Sequence, residues 1–236
     1  MLSVGILVFD DVEILDFSGP YEVFSTAARV HACLLKSQPE FRCFLIAPEM
    51  RPIRARGGMK VLPDCVLLPS SDIDVLIVPG GDVSGVLDNK TVIDWIRMQA
   101  ASGYITASIC TGAFLLAEAG LLNGLHATTH WEDCDDLEQR YPALTVRRNV
   151  PWVDCGKVVS SGGISSGIDM SLHLVERLAG RQMAEATARQ MEYRWNREAA
   201  HDFSRSTDTR VLPVAQRHAG AGPGRPGRSA VLCKPA

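Results

Sequence analysis

Residues 104–124, YITASICTGAFLLAEAGLLNG, decide the fold. The first six positions are a short apolar run that reads as a buried strand. The residues from Gly112 onward carry an apolar period that reads as a helix. Cys110 stands between the two with no room for a loop. A residue on such a turn presents its side chain outward, beside the amides that open the helix, as in a nucleophile elbow. Those amides and the helix dipole favour a thiolate, so a lowered pKa is expected for Cys110. A buried structural cysteine filling a tight turn is the other reading, and spacing alone leaves both open.

The same strand-then-helix alternation runs outward in both directions. VGILVF (4–9), FRCFLIAP (41–48) and DVLIVPGG (74–81) are further buried strands. GPYEVFSTAARV (19–30) reads as a helix with Pro20 at its first position. TVIDWIRMQAA (91–101) is amphipathic, and IRARGGMKVLP (53–63) is a hairpin turning at Gly57 and Gly58. LTVRRNVPWVDCGKVVSSGG (144–163) gives short late strands, and ISSGIDMSLHLVERLAG and RQMAEATARQMEYRW give two closing helices. The expected fold is α/β: a mostly parallel central sheet with helices on both faces. Ligand sites in such sheets lie beyond the carboxyl ends of the strands. The acidic loop 10–19, the PGG at 79–81 and Cys110 all fall at such ends.

Composition agrees. The 236 residues are 46% hydrophobic and 22% charged, enough for one α/β domain that needs no metal or disulfide to hold it. Seven cysteines, an odd number without a CxxC pair, argue against a disulfide framework or a zinc site. No apolar run reaches the roughly 18 residues of a membrane span, and the N-terminus lacks a basic leader. A cytoplasmic location is expected. Residues 201–236 hold six Lys/Arg against two Asp/Glu and are rich in Gly, Pro and Arg, whereas residues 1–200 hold 18 Lys/Arg against 25 Asp/Glu. The expected organisation is a domain over 1–200 and a disordered tail over 201–236. The acidic body argues against nucleic acid as a partner of the main domain.

Several residues can supply chemistry. Amides of Gly80 or Gly81 can stabilise charge on a reacting atom, or the glycines can merely turn the chain. Thr111 can touch a group bound to Cys110, or cap the helix. Asp10, Asp11, Glu13 and Asp16 share the first loop. A carboxyl facing a thiolate there is pushed up by desolvation and serves as an acid, or it only complements the following helix. His130 is a candidate base for a cysteine, or a cap. Asp169 reads as a helix-start carboxylate, and Trp131, Trp152 and Trp195 as packing or interface residues.

LVFDDVEILDFSGPYEVF, VLIVPGG, ASICTGAFLLAEAGLLNGLHATTHW and GGISSGIDMSLHLVERLAG, in that order, resemble the ThiJ/PfpI superfamily. The resemblance covers about residues 1–197 and implies the class I glutamine amidotransferase-like fold, a flavodoxin-like three-layer sandwich. Thr111 after Cys110, with Asp16 in the first loop, is similar to the isonitrile hydratase branch. By position this implies Asp16, Cys110 and Thr111 as catalytic residues. Gly80, Gly81 and His130 are expected to line the substrate or oxyanion site. The implied chemistry is hydration of a small-molecule isonitrile to an N-substituted formamide through a Cys110 thioimidate, with Asp16 as acid and then base. It requires no metal or organic cofactor. A homodimer is implied too. The same pattern occurs in sensor domains of AraC-type regulators, and an oxidisable Cys110 in a redox-responsive or chaperone-like protein is a further alternative.

Overall fold

The computed structural model describes residues 1–35, 40–67, 73–197 and 200–202. The expected tail lies outside the described residues from 203 onward, and Cys233 with it. The strands are β1 Leu2–Leu7, β2 Phe41–Ala47, β3 Ile53–Arg54, β4 Lys60–Val61, β5 Cys65–Val66 and β6 Val75–Val78. They continue with β7 Ile105–Ile109, β8 His126–Ala127, β9 Thr145–Val146, β10 Trp152–Asp154, β11 Val158–Ser161 and β12 Ala200–Asp202. The helices are α1 Ile14–Leu35, α2 Ser84–Leu87, α3 Lys90–Ser102, α4 Gly112–Glu118, α5 Cys134–Arg140, α6 Ser166–Ala179 and α7 Arg181–Gln190.

Eight strands form one sheet in the order β12-β10-β11-β7-β6-β1-β2-β5. Every pairing is parallel except β10 with β11. Helices α1, α6 and α7 pack together as one layer, and α2, α3 and α4 as another. The central strands β6 and β7 are buried at every position because both faces are covered: VLIV in β6 is wholly apolar, and the small Thr106 and Ser108 are buried with the isoleucines in β7. The hairpin turning at Gly57 and Gly58 is present as β3 and β4, and both glycines have the positive φ that the turn demands. Among the described residues, no helix is long and apolar enough to cross a membrane.

One boundary differs from the sequence expectation. Pro20 does not open its helix but lies inside α1, which starts at Ile14. The neighbouring strand end sets that start. Val12 bridges Gly81, Glu13 N–H donates to Gly80 C=O at 2.8 Å, and the Glu13 carboxylate accepts from Ile14 N–H at 3.2 Å. Pro20 removes one helical hydrogen bond, the one that the carbonyl of residue 16 would accept. The Ser18 hydroxyl donates to the Ile14 carbonyl at 2.7 Å in the same turn. Asp16 therefore sits in the first turn of a helix, with a fixed backbone, and not in a loop.

Candidate active site

Strand β7 delivers Cys110 directly into α4, and the turn forces its φ to +55°. A non-glycine residue there is strained, so the surroundings must hold it. The Cys110 N–H is shared between the carbonyls of Ser161 at 3.2 Å and Gly162 at 3.3 Å. Its carbonyl accepts from the Thr129 hydroxyl at 2.9 Å and from Ala113 N–H at 3.2 Å. Two glycines let the elbow press onto the end of β6. A Cβ at Gly112 would lie 2.2 Å from the Val78 carbonyl oxygen, and one at Gly80 would lie 2.5 Å from Thr111 Oγ1 and 2.9 Å from Cys110 Cβ.

The carboxyl of Asp16 is fully buried beside this elbow. Its Oδ2 accepts from Gly80 N–H at 3.0 Å, while Oδ1 is buried without a hydrogen bond of normal geometry. Burial pushes the Asp16 carboxyl up to about 7. The Gly80 amide pulls it down, the Glu13 charge pushes it up, and the Ile164 amide and Cys110 thiol pull it down more weakly. Ile164 has φ +52°, a second strained residue turned toward the same carboxyl.

The thiol itself corrects an expectation. A lowered Cys110 pKa was expected from the helix start. Burial, with the Asp16 charge next, instead pushes it up to about 12, although the Thr111 amide and hydroxyl favour the thiolate. A seven-residue helix start cannot offset removal from water and a neighbouring carboxylate. At neutral pH the proton of the pair rests on sulfur, and Asp16 is the group poised to exchange it.

The glycine amides also differ from expectation. Neither is free for a reacting atom: Gly80 N–H holds Asp16, and Gly81 N–H donates to Thr111 Oγ1 at 2.9 Å. The Thr111 hydroxyl in turn donates to the Gly81 carbonyl at 2.9 Å, so its side chain locks onto the β6 end and does not cap α4. His130 sets its ring against Gly163, with Nδ1 3.4 Å from Asp133 and 3.7 Å from Glu132. Among the described residues it makes no hydrogen bond to Cys110. The structure thus gathers Cys110, Asp16, Thr111, Gly80 and Gly81, with His130 at the margin.

The remaining candidates have other tasks. Asp10 binds the Arg51 guanidinium at 2.6 Å and Arg54 N–H at 2.8 Å. Glu13 reaches Arg56 at 3.4 Å. Asp169 lies in the first turn of α6 and accepts from Asn196 N–H at 3.1 Å. Trp152 is buried, whereas Trp131 is 76% exposed. Thr129 and Asp133 were missed in the sequence; nothing but their place in ATTHWED points to them. A groove of about 410 Å³ opens beside Thr111, with Gly81, Val83, Leu87, Phe114 and Asp133 among its walls. Among the described residues, no group of three or more His, Cys, Asp or Glu is arranged to hold a metal ion.

The family model described as "DJ-1/PfpI family" matches residues 2–177. The isonitrile hydratase of Pseudomonas putida is 35% identical over 193 residues, 81% of this chain and 78% of that one. The HTH-type transcriptional regulator CdhR of Pseudomonas aeruginosa is 32% identical over 184 residues, 78% of this chain and 53% of that one. The chain thus spans about half the length of that regulator. A crystal structure of a ThiJ/PfpI family protein from Pseudomonas syringae superposes with a TM-score of 0.71 at 23% identity, covering 81% of this chain and 75% of that one. That likeness shows the fold. The matched span contains Asp16, the PGG, the Cys110 elbow and most of α6, and the chain belongs to the DJ-1/PfpI family.

Proposed function

We propose that the protein adds water to an isonitrile, giving an N-substituted formamide, with Cys110 as nucleophile and Asp16 as proton carrier. One observation carries this reading: a fully buried carboxyl, pushed up to about 7, beside a strained cysteine at a strand end. Similarity to an isonitrile hydratase supports the substrate class.

The steps balance without further groups. Asp16 carboxylate takes the thiol proton as sulfur bonds to the terminal isonitrile carbon, and it returns that proton to the same carbon. The product is a thioimidate, R–N=CH–S–Cys110. Water then attacks the carbon; its proton goes by way of Asp16 to nitrogen. The hydroxyl proton is lost as the C–S bond breaks, the thiol is reprotonated, and R–NH–CHO leaves. Thr111 keeps the elbow seated against Gly81 throughout. We further propose a homodimer as the working form and residues 1–200 as the domain that carries the activity.

The test is incubation with cyclohexyl isocyanide and detection of N-cyclohexylformamide by mass, with Cys110→Ala as control. Formamide from the wild type but not from the variant supports the reading. No turnover overturns it and leaves ligand sensing, which the similarity to a regulator favours, as the second reading.

A further inference from the structure

We propose that Thr129 is a positioning residue that sets the reactivity of Cys110 by fixing the Cys110–Thr111 peptide plane. The inference rests on Cys110 being the nucleophile and not on the identity of the substrate.

Thr129 is 2% exposed, and its hydroxyl donates to the Cys110 carbonyl at 2.9 Å. That carbonyl belongs to the same rigid peptide unit as the Thr111 N–H. The Thr111 N–H is turned toward the thiol and favours its charged form. A pull on one end of the plane therefore orients the other. The plane needs such a hold because Cys110 is kept at φ +55°, where relaxation would rotate it. The Ser161 and Gly162 carbonyls restrain the preceding peptide through Cys110 N–H, at 3.2 and 3.3 Å, but do not touch this one. Ala113 N–H, at 3.2 Å, is the other donor to the carbonyl and comes from the backbone of the turn itself. Thr129 supplies the anchor from outside the turn.

The test compares Thr129→Val, Thr129→Ser and Thr129→Ala. The rate of Cys110 alkylation by iodoacetamide is followed by peptide mass mapping between pH 7 and 10, and exposed Cys33 on α1 is the internal control. Valine keeps the shape and loses the hydroxyl. We expect it to move the alkylation profile of Cys110 to higher pH and to slow the reaction about three- to ten-fold, the usual scale of one lost hydrogen bond. Serine should restore the rate to within about two-fold of wild type, and Cys33 should not change. If valine does not fold, alanine is read in the same way. A wild-type profile in the valine or alanine variant, or a serine variant as slow as valine, overturns the proposal, because the methyl group alone would then matter.

Discussion

Two buried aspartates, Asp16 in the first turn of α1 and Asp154 on β10, have opposite fates. Asp16 is fully buried, with no cation paired to it among the described residues, and burial pushes it up to about 7. Asp154 on β10 is 6% exposed, and there the push of burial is outweighed by His173, Arg177 and the Gly156 amide, so its pKa falls. Both carboxylate oxygens of Asp154 are filled: His173 lies at 2.7 Å, Arg177 at 2.9 and 3.1 Å, and Gly156 N–H at 2.7 Å. The His173 ring stacks on Trp152 with centroids 5.8 Å apart. Asp154 thereby ties β10 to α6 and has no proton to give. Asp16 keeps one oxygen without a hydrogen bond of normal geometry, beside the Cys110 thiol, and a pKa near neutral, which is what proton exchange needs. A protein carries an unpaired buried carboxyl at a cost in stability, so its presence beside a thiol is informative.

Substitution can break this contrast. Asp16→Asn keeps shape and hydrogen bonding to Gly80 but cannot exchange a proton. We expect isonitrile turnover to fall roughly 100-fold or more, with the melting temperature unchanged or raised. Full turnover in this variant would end the proton-carrier role. Asp154→Ala should do the reverse. It strands Arg177 and His173, which are 17% and 20% exposed. Discounted for that exposure, the loss is about 2 kcal/mol, roughly 4–8 °C in melting temperature, with turnover per folded molecule retained.

The pH dependence of stability sharpens the contrast further. The folded pKa of Asp16 is raised, so its stabilising share is complete below the unfolded value of 3.8 and is lost as pH rises through about 7. The folded pKa of Asp154 is lowered, so its share is present above 3.8 and is lost as pH falls below it. Denaturant melts of the two asparagine variants should lose opposite slopes relative to wild type, each at most about 1.4 kcal/mol per pH unit. Asp16→Asn should flatten the decline between about pH 4 and 7. Asp154→Asn should flatten the loss on the acid side of about pH 4.

Much of the fold was legible in the sequence because buried parallel strands read as runs dominated by apolar residues, unbroken in VLIV at 75–78 and interrupted only by the small Thr106 and Ser108 in ITASI at 105–109. The Cys110 elbow was legible for the same reason, since a strand that meets a helix without a loop leaves one position for the turn. The start of α1 was misread because Pro20 is a strong local signal for a first helical position, while the true start is set by backbone bonds to Gly80 and Gly81, far away in sequence. The direction of the Cys110 pKa was misread because a helix dipole is a local property and burial is not. The amides of Gly80 and Gly81 were placed in the right region but assigned to a ligand, when they hold Asp16 and Thr111. The Asp154, His173 and Arg177 cluster had no sequence signal, because its members meet only when α6 packs on β10.

The most direct measurement is the titration of the Asp16 carboxyl itself, followed by carbon-13 NMR of aspartate-labelled protein and assigned with Asp16→Asn. We expect one aspartate with a midpoint near 7, coupled to a chemical-shift change at Cys110, while Asp154 stays ionised to below its usual range. A midpoint for Asp16 at or below the ordinary value of 3.8 would leave the carboxylate too weak a base to take the proton of a thiol held near 12, and the proton-carrier role would fall.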